Sequence, residues 1–469
     1  MVDLARGTDG STDVARPGGV RTLVLVTAAT AIGLGVAVWL STPWTPLHVP
    51  ADAAVPAEAS ADFTADEIAR ADAYRSAVRP PAYASLALGL VVTLAVGFTP
   101  LGARMVRRLP SPRRAPLLVP ALVGGVVVLL TARLVTLPFS AWQESVRRDY
   151  GLSTRDWAEW AADIARGFGV QTTLTLLGVL AVVALAARWP VRWRGHWWMA
   201  AAPGAAALVV VTSLAYPMVV EPAFNRFEPL PESSLRTSLL VLADEEGVAV
   251  GEVLVADASR RTTTLNAYVS GFGPTKRLVL YDTLLAEAPD DEVEIVVAHE
   301  LAHARESDVL VGTLLGAGGA ALVVLLTALA GSWRPLVASA GLRPPKASGS
   351  RWAPSGAVLG QAAAVPFVLA TVTALGFVGG PGEMTVSRHI EARADVVALE
   401  LTQDADTFVR MQRSLAVAAL SDLDPPRALH WWFASHPSAP ERITLARTWA
   451  GLTDGPVPAP LVGRLSLNP

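Results

Sequence analysis

Residues 293–326 read VEIVVAHELAHARESDVLVGTLLGAGGAALVVLL, and the fold turns on this stretch. It joins His299-Glu300-Leu301-Ala302-His303 directly to an apolar run that begins near residue 308. On a helix, positions i and i+4 share a face, so both imidazoles can reach one ion. Glu300 sits beside them, where its carboxylate can take a proton from a water at that ion. Val296, Val297 and Leu301 supply the apolar contacts of such a helix. The run 308–330 is long enough to cross a bilayer core of ~30 Å, which takes about 20 apolar residues. His299 precedes that run, which disfavours an intramembrane protease of the site-2 type, where the motif lies inside a span.

Six further runs have membrane length: 21–40, 82–104, 116–138, 168–187, 197–220 and 357–379. Many are rich in Ala, Gly and Val, as closely packed membrane helices often are. Run 21–40 shows no small-residue cleavage site after Trp39-Leu40 and reads as a span, not a signal peptide. Trp39, Trp44, Trp142, Trp189, Trp193, Trp197, Trp198, Trp333 and Trp352 lie near the run ends, where indole finds both apolar and polar neighbours. The fold class expected is a mostly α, multi-pass membrane protein with a small α+β domain.

Composition agrees. Of 469 residues, 17% are charged and 52% hydrophobic, and the net charge is −3. No clustered basic excess suggests nucleic acid. There is no cysteine, so any metal must be held by His, Asp or Glu.

Two polar regions remain, 221–307 and 380–469, separated by two spans. They therefore lie on one side of the membrane and can form one domain, with 1–220 as the membrane region and 308–379 as spans six and seven. The linker 331–356 reads as a loop and 455–469 as a loosely held Pro-rich tail. Within 221–307 the pattern predicts a helix over 232–246. Strands are predicted at Val253–Val255, 265–270 and Leu278–Tyr281, and a helix from about 291.

A catalytic zinc takes three protein ligands and keeps one position for water. Ser387-Arg388-His389-Ile390-Glu391-Ala392-Arg393-Ala394-Asp395 offers the third. Glu391 and Asp395 stand one turn apart, so a carboxylate ligand could be followed by one that orients a ligating His through its other ring proton. The same spacing suits an exposed acidic helix face, and His389 is the rival ligand. An antiparallel pair of spans six and seven would bring His303 and Glu391 together.

With these residues in view, the chain resembles the type I CAAX prenyl endopeptidases, integral-membrane zinc metalloproteases with seven spans around a large chamber. Beyond the His299–His303 motif, the resemblance rests on Glu221 to Leu230, on Asn266 to Leu285, and on Ser387 to Asp395. It also rests on His436-Pro437-Ser438 with Glu441-Arg442-Ile443, and loosely on Phe63 to Arg75. It implies that His299, His303 and Glu391 bind one zinc ion and that Glu300 is the general base. It implies that Asn266 and Ala267 lie on an edge strand that holds an extended peptide. His436 would steady the oxyanion, with Asp395, Arg388 and Arg442 supporting the site. His436 also precedes Pro437 and could simply end a helix. Residues Asp257 to Leu265 depart from the family pattern.

The implied activity is zinc-dependent hydrolysis of a peptide or protein at a lipid membrane. The alternatives are a heat-shock-type membrane quality-control protease, which usually has fewer spans, and a silent membrane scaffold or chaperone, which would have no need of Glu300. Orientation is read from loop charge. One set of loops holds Arg6, Arg16 and Arg21, the cluster Arg104 to Arg114, Arg188 to Arg194, and Arg334 to Arg351. That is about twice the Lys and Arg of the opposite loops. The basic side should be cytoplasmic, leaving 221–307 and 380–469 outside, whereas the resemblance implies a cytosolic site. Arg133, inside the third run, should face a polar interior or a carboxylate.

Overall fold

The computed structural model describes residues 18–49, 57–109, 116–189, 195–344 and 351–462. Arg6, Arg16, Arg113, Arg114, Arg192, Arg194 and Lys346 of the loop-charge argument lie outside these, as do Trp193 and the end of the tail. In chain order the first elements are α1 (Gly18–Ser41), α2 (Ala59–Asp62), α3 (Ala65–Phe98), α4 (Pro100–Arg108), α5 (Leu118–Asp149), α6 (Trp157–Arg188), α7 (Trp198–Val219) and α8 (Glu221–Phe224). A small domain follows with β1 (Phe227–Pro229), α9 (Ser234–Glu245), β2 (Glu252–Ala256), β3 (Ala267–Ser270), β4 (Arg277–Tyr281), α10 (Asp282–Glu287) and α11 (Asp290–Arg305). Next come α12 (Asp308–Ser332), α13 (Arg334–Ser339), α14 (Gly356–Leu359) and α15 (Val365–Thr402). The chain closes with α16 (Ala405–Ala418), α17 (Arg427–Phe433) and α18 (Ala439–Leu452).

Among the described residues, seven helices are long and apolar enough to span: α1, α3, α5, α6, α7, α12 and α15. Several outrun the bilayer. At 34 and 38 residues, α3 and α15 reach about 51 and 57 Å. The polar ends of α3 and α6 are held by reciprocal caps, Thr64 with Glu67 and Asp156 with Glu159. The expected run 82–104 is interrupted: Thr99 caps a new helix with Pro100 at its first position. The run 357–379 is likewise split between α14 and α15, and the linker read as a loop contains α13. Trp197 and Trp198, at the start of α7, are buried in protein. The Trp197 indole N–H donates to Ser355 Oγ at 3.0 Å, so its burial leaves no orphan donor. Arg133 meets Ser140 Oγ at 3.4 Å and, among the described residues, no carboxylate.

Helices α3 and α15 pack at close quarters. A Cβ on Gly97 would sit 2.1 Å from Ala370 Cβ and 2.5 Å from the Pro366 carbonyl. Only a glycine permits that approach.

The sheet order is β1-β2-β4-β3, with β2 and β4 parallel and the outer pairs antiparallel. One apolar core joins both polar regions. It contains Leu239, Leu278 and Val297 from the first and Leu399, Phe408 and Ile443 from the second.

Candidate metal centre and substrate cavity

Helix α11 begins with Asp290, Asp291 and Glu292, whose charges suit its N-terminal dipole. Val293, Val297 and Leu301 are buried in the core. The remaining face, with His299 and His303, turns toward α15. Ala302 packs with Ala394 and Val397, small contacts that let the two helices come close. Because α15 continues unbroken from the membrane, it carries Glu391 and Asp395 to that face.

His299 Nε2 lies 3.2 Å from His303 Nε2 and 3.2 Å from Glu391 Oε2, and His303 Nε2 lies 3.6 Å from Glu391 Oε1. The far side of each ring is engaged. His299 Nδ1 is 2.9 Å from Asp395 Oδ1, and His303 Nδ1 is 2.8 Å from Asp308 Oδ2. A carboxylate accepts only, so in the neutral rings each Nδ1 keeps the proton and each Nε2 is left with the lone pair. With both rings neutral, as an ion requires, two imidazole lone pairs and a carboxylate converge on one point, an arrangement suited to a cation. Ligands at about 2.0–2.1 Å from a tetrahedral ion stand about 3.3–3.4 Å apart. The observed spacings fit that geometry.

Asp395 is fully buried, and Arg442 grips both of its oxygens. Arg442 Nη2 also lies 3.3 Å from His299 Nδ1. Burial pulls the His299 pKa down, but the Asp395 and Glu391 hydrogen bonds outweigh it and raise the metal-free group to about 9. Burial pushes Glu300 above the usual carboxylate range, against the pull of the two histidines. His436 Nε2 lies 3.3 Å from Glu391 Oε2, and its Nδ1 is 2.8 Å from Ser435 Oγ. Burial holds its pKa below the ordinary imidazole value.

Arg388, expected to support the site, does not reach the three ligands. It donates instead to the carbonyls of His430 and Ala434, at 3.1 and 2.6 Å, and so fixes the loop that carries His436. His389 stacks edge-on against Trp44, away from the centre. Sequence reasoning missed Asp308, which Arg393 also grips, and missed the left-handed Ser307 (φ 59°) that turns the chain so Asp308 can reach back to His303.

These groups open into a cavity of about 1190 Å³. Glu300, His436 and residues 266–269 line it at the metal end, and α12 lines it from Val309 to Leu326. Strand β3 is the sheet edge beside it. Asn266 precedes β3, and its carbonyl accepts from Tyr281 N.

Fold and site together define a multi-pass membrane metalloprotease. Residues 229–450 match the model of peptidase family M48, and residues 47–226 match that of the CAAX prenyl protease N-terminal region with five membrane helices. The chain belongs to the CAAX prenyl protease family within these peptidases. It is 34% identical over 322 residues to the uncharacterized metalloprotease YhfN of Bacillus subtilis, covering 68% of this chain and 72% of that one. A CAAX prenyl protease 1 homolog of Oryza sativa is 44% identical over 98 residues, 21% of this chain and 23% of that protein. In fold, the chain is similar to the crystal structure of S. mikatae Ste24p. The TM-score is 0.71 at 20% identity, over 90% of this chain and 98% of that one.

Proposed function

We propose that the protein is a zinc endopeptidase in which His299, His303 and Glu391 hold the ion and Glu300 is the general base. The observation that carries this reading is the convergence of three lone-pair donors at 3.2–3.6 Å, with both far ring nitrogens engaged by carboxylates. Two imidazoles with one carboxylate favour zinc over magnesium or calcium, which prefer all-oxygen sites. Zinc, when bound, supplies a Lewis acid for the carbonyl and for water. Glu300 takes the proton from the attacking water and passes it to the leaving amine. His436, neutral near pH 7, donates from Nε2 to the oxyanion as it forms. The edge of β3, with Asn266 and Ala267, pairs with the backbone of an extended peptide. Asp395 and Arg442 orient His299, and Arg388 supports the His436 loop.

Regions 221–307 and 380–469 make up one catalytic domain in this reading, supported by their shared core. We place that domain on the extracytoplasmic side, from the excess of Lys and Arg in the opposite loops. Arg70, Arg75, Arg79, Arg148, Arg155 and Arg166, on the domain's own side, are all bonded to protein groups, which supports a structural use for them.

Metal analysis of the purified protein by mass spectrometry tests the ligand set. The expected result is one zinc per chain, lost in His303→Ala and in Glu391→Ala. Full zinc content in either variant would overturn the assignment.

A further inference from the structure

The short helix α17, sequence RALHWWF, has no part in the chemistry above. Its Trp431 and Phe433, two positions apart at the C-terminal end, are 52% and 45% exposed. Phe433 meets Tyr83, itself exposed, and contiguous apolar surface of this kind marks an interaction or membrane site.

The partners of α17 show where it lies. Trp432 packs on Phe377 with ring centroids 5.1 Å apart, and Phe377 belongs to the apolar part of α15. Phe433 meets Tyr83 of α3 at 6.0 Å. Helix α17 is therefore seated against two spanning helices, and its exposed rings continue their outer surface. A second landmark agrees on the level. At the end of α1, Trp39 packs on Trp44, and Trp44 packs on His389 of α15, next to the Arg388 that holds α17. The end of one span and the α17 backbone thus both meet α15 near residues 388–389, while Trp432 reaches back along α15 to Phe377 in its apolar part. Arg427, at the start of α17, is exposed and adds a cation suited to phosphate headgroups.

We infer that α17 is an interfacial membrane anchor, with Trp431 and Phe433 inserted among the lipid headgroups and upper acyl chains of the bilayer that the seven helices span. This rests on the spanning assignment and not on the zinc chemistry. Tryptophan favours that zone because its ring is apolar and its N–H polar, and phenylalanine is common on the buried face of interfacial helices. The anchor reaches the active site through the chain itself. Arg388 ties α17 and Ala434 to α15, and His430 Nε2 lies 3.2 Å from the His436 carbonyl.

The native chain has no cysteine, so single substitutions give unique labelling sites. Trp431→Cys and Phe433→Cys, each carrying a nitroxide, are placed in lipid nanodiscs. Two controls accompany them: Val211→Cys, exposed on spanning helix α7, and Glu228→Cys, exposed on β1. Relaxation by oxygen, which concentrates in lipid, is compared with relaxation by a water-soluble nickel chelate. The expected result is that both α17 labels fall between the two controls, with oxygen a clearly stronger relaxant than at Glu228→Cys. Labels that resemble Glu228→Cys would overturn the anchor, and so would labels shielded from both reagents, which would mean protein covers the patch. A variant that fails to fold is bypassed by Trp431→Phe, which keeps the ring. Brominated lipid should quench wild-type indole emission more than that of Trp431→Phe, and equal quenching would also overturn it.

Discussion

Each histidine of the pair is held by its own carboxylate, Asp395 for His299 and Asp308 for His303. Removing either acceptor frees the ring to rotate or to change tautomer. Asp395→Asn should weaken metal affinity by about 10- to 100-fold. Asp308→Asn should fall in the same range, and competition with a metal chelator reads both. Unchanged affinity in either variant would reduce that residue to a surface or packing role. The raised pKa of His299 adds a pH dependence. Below about 9 the metal-free imidazole holds a proton that an incoming ion must displace. Apparent affinity should therefore rise with pH up to about 9 and fall as pH is lowered, which metal titrations at several pH values can follow. Asp395 was legible in the sequence because it stands one turn from Glu391 on one helix. Asp308 was not: at the start of an apolar run it looks like a charge that merely ends a span. Only the left-handed Ser307 turns it back. The partners of Arg388 were not legible for a related reason, since they lie more than 40 positions along the chain.

At the scale of elements, the long helices follow from apolar length, and their ends from local chemistry. The expected sixth run, 308–330, differs from α12 by two residues, whereas the second and seventh runs cross breaks that a count of apolar residues ignores. Thr99-Pro100 is such a break, and it was visible in the residues. The joining of α3 to α15 was not visible, because contact between distant helices depends on backbone approach. Gly97 carries that contact. Gly97→Val would push Ala370 and Pro366 of α15 away from α3 and should cost about 1–3 kcal/mol as overpacking. Thermal unfolding in detergent would show a lowered midpoint, and an unchanged midpoint would mean the helices are free to shift.

For the whole molecule, two polar regions far apart in sequence share one core, because the spans between them return the chain to the same side. That arrangement was legible from the parity of the apolar runs. The side itself is a separate matter, governed by loop charge at insertion. A C-terminal alkaline phosphatase fusion should be active and a C-terminal fluorescent protein dark; the reverse pattern would place the site in the cytoplasm. The central claim is that Glu300 supplies the base without holding the metal, and Glu300→Ala tests it most directly. Zinc content by mass spectrometry and peptide cleavage are measured on the same preparation. The account predicts one zinc per chain, as in the wild type, with turnover reduced by at least about 10²-fold. Cleavage at the wild-type rate with zinc in place would contradict it.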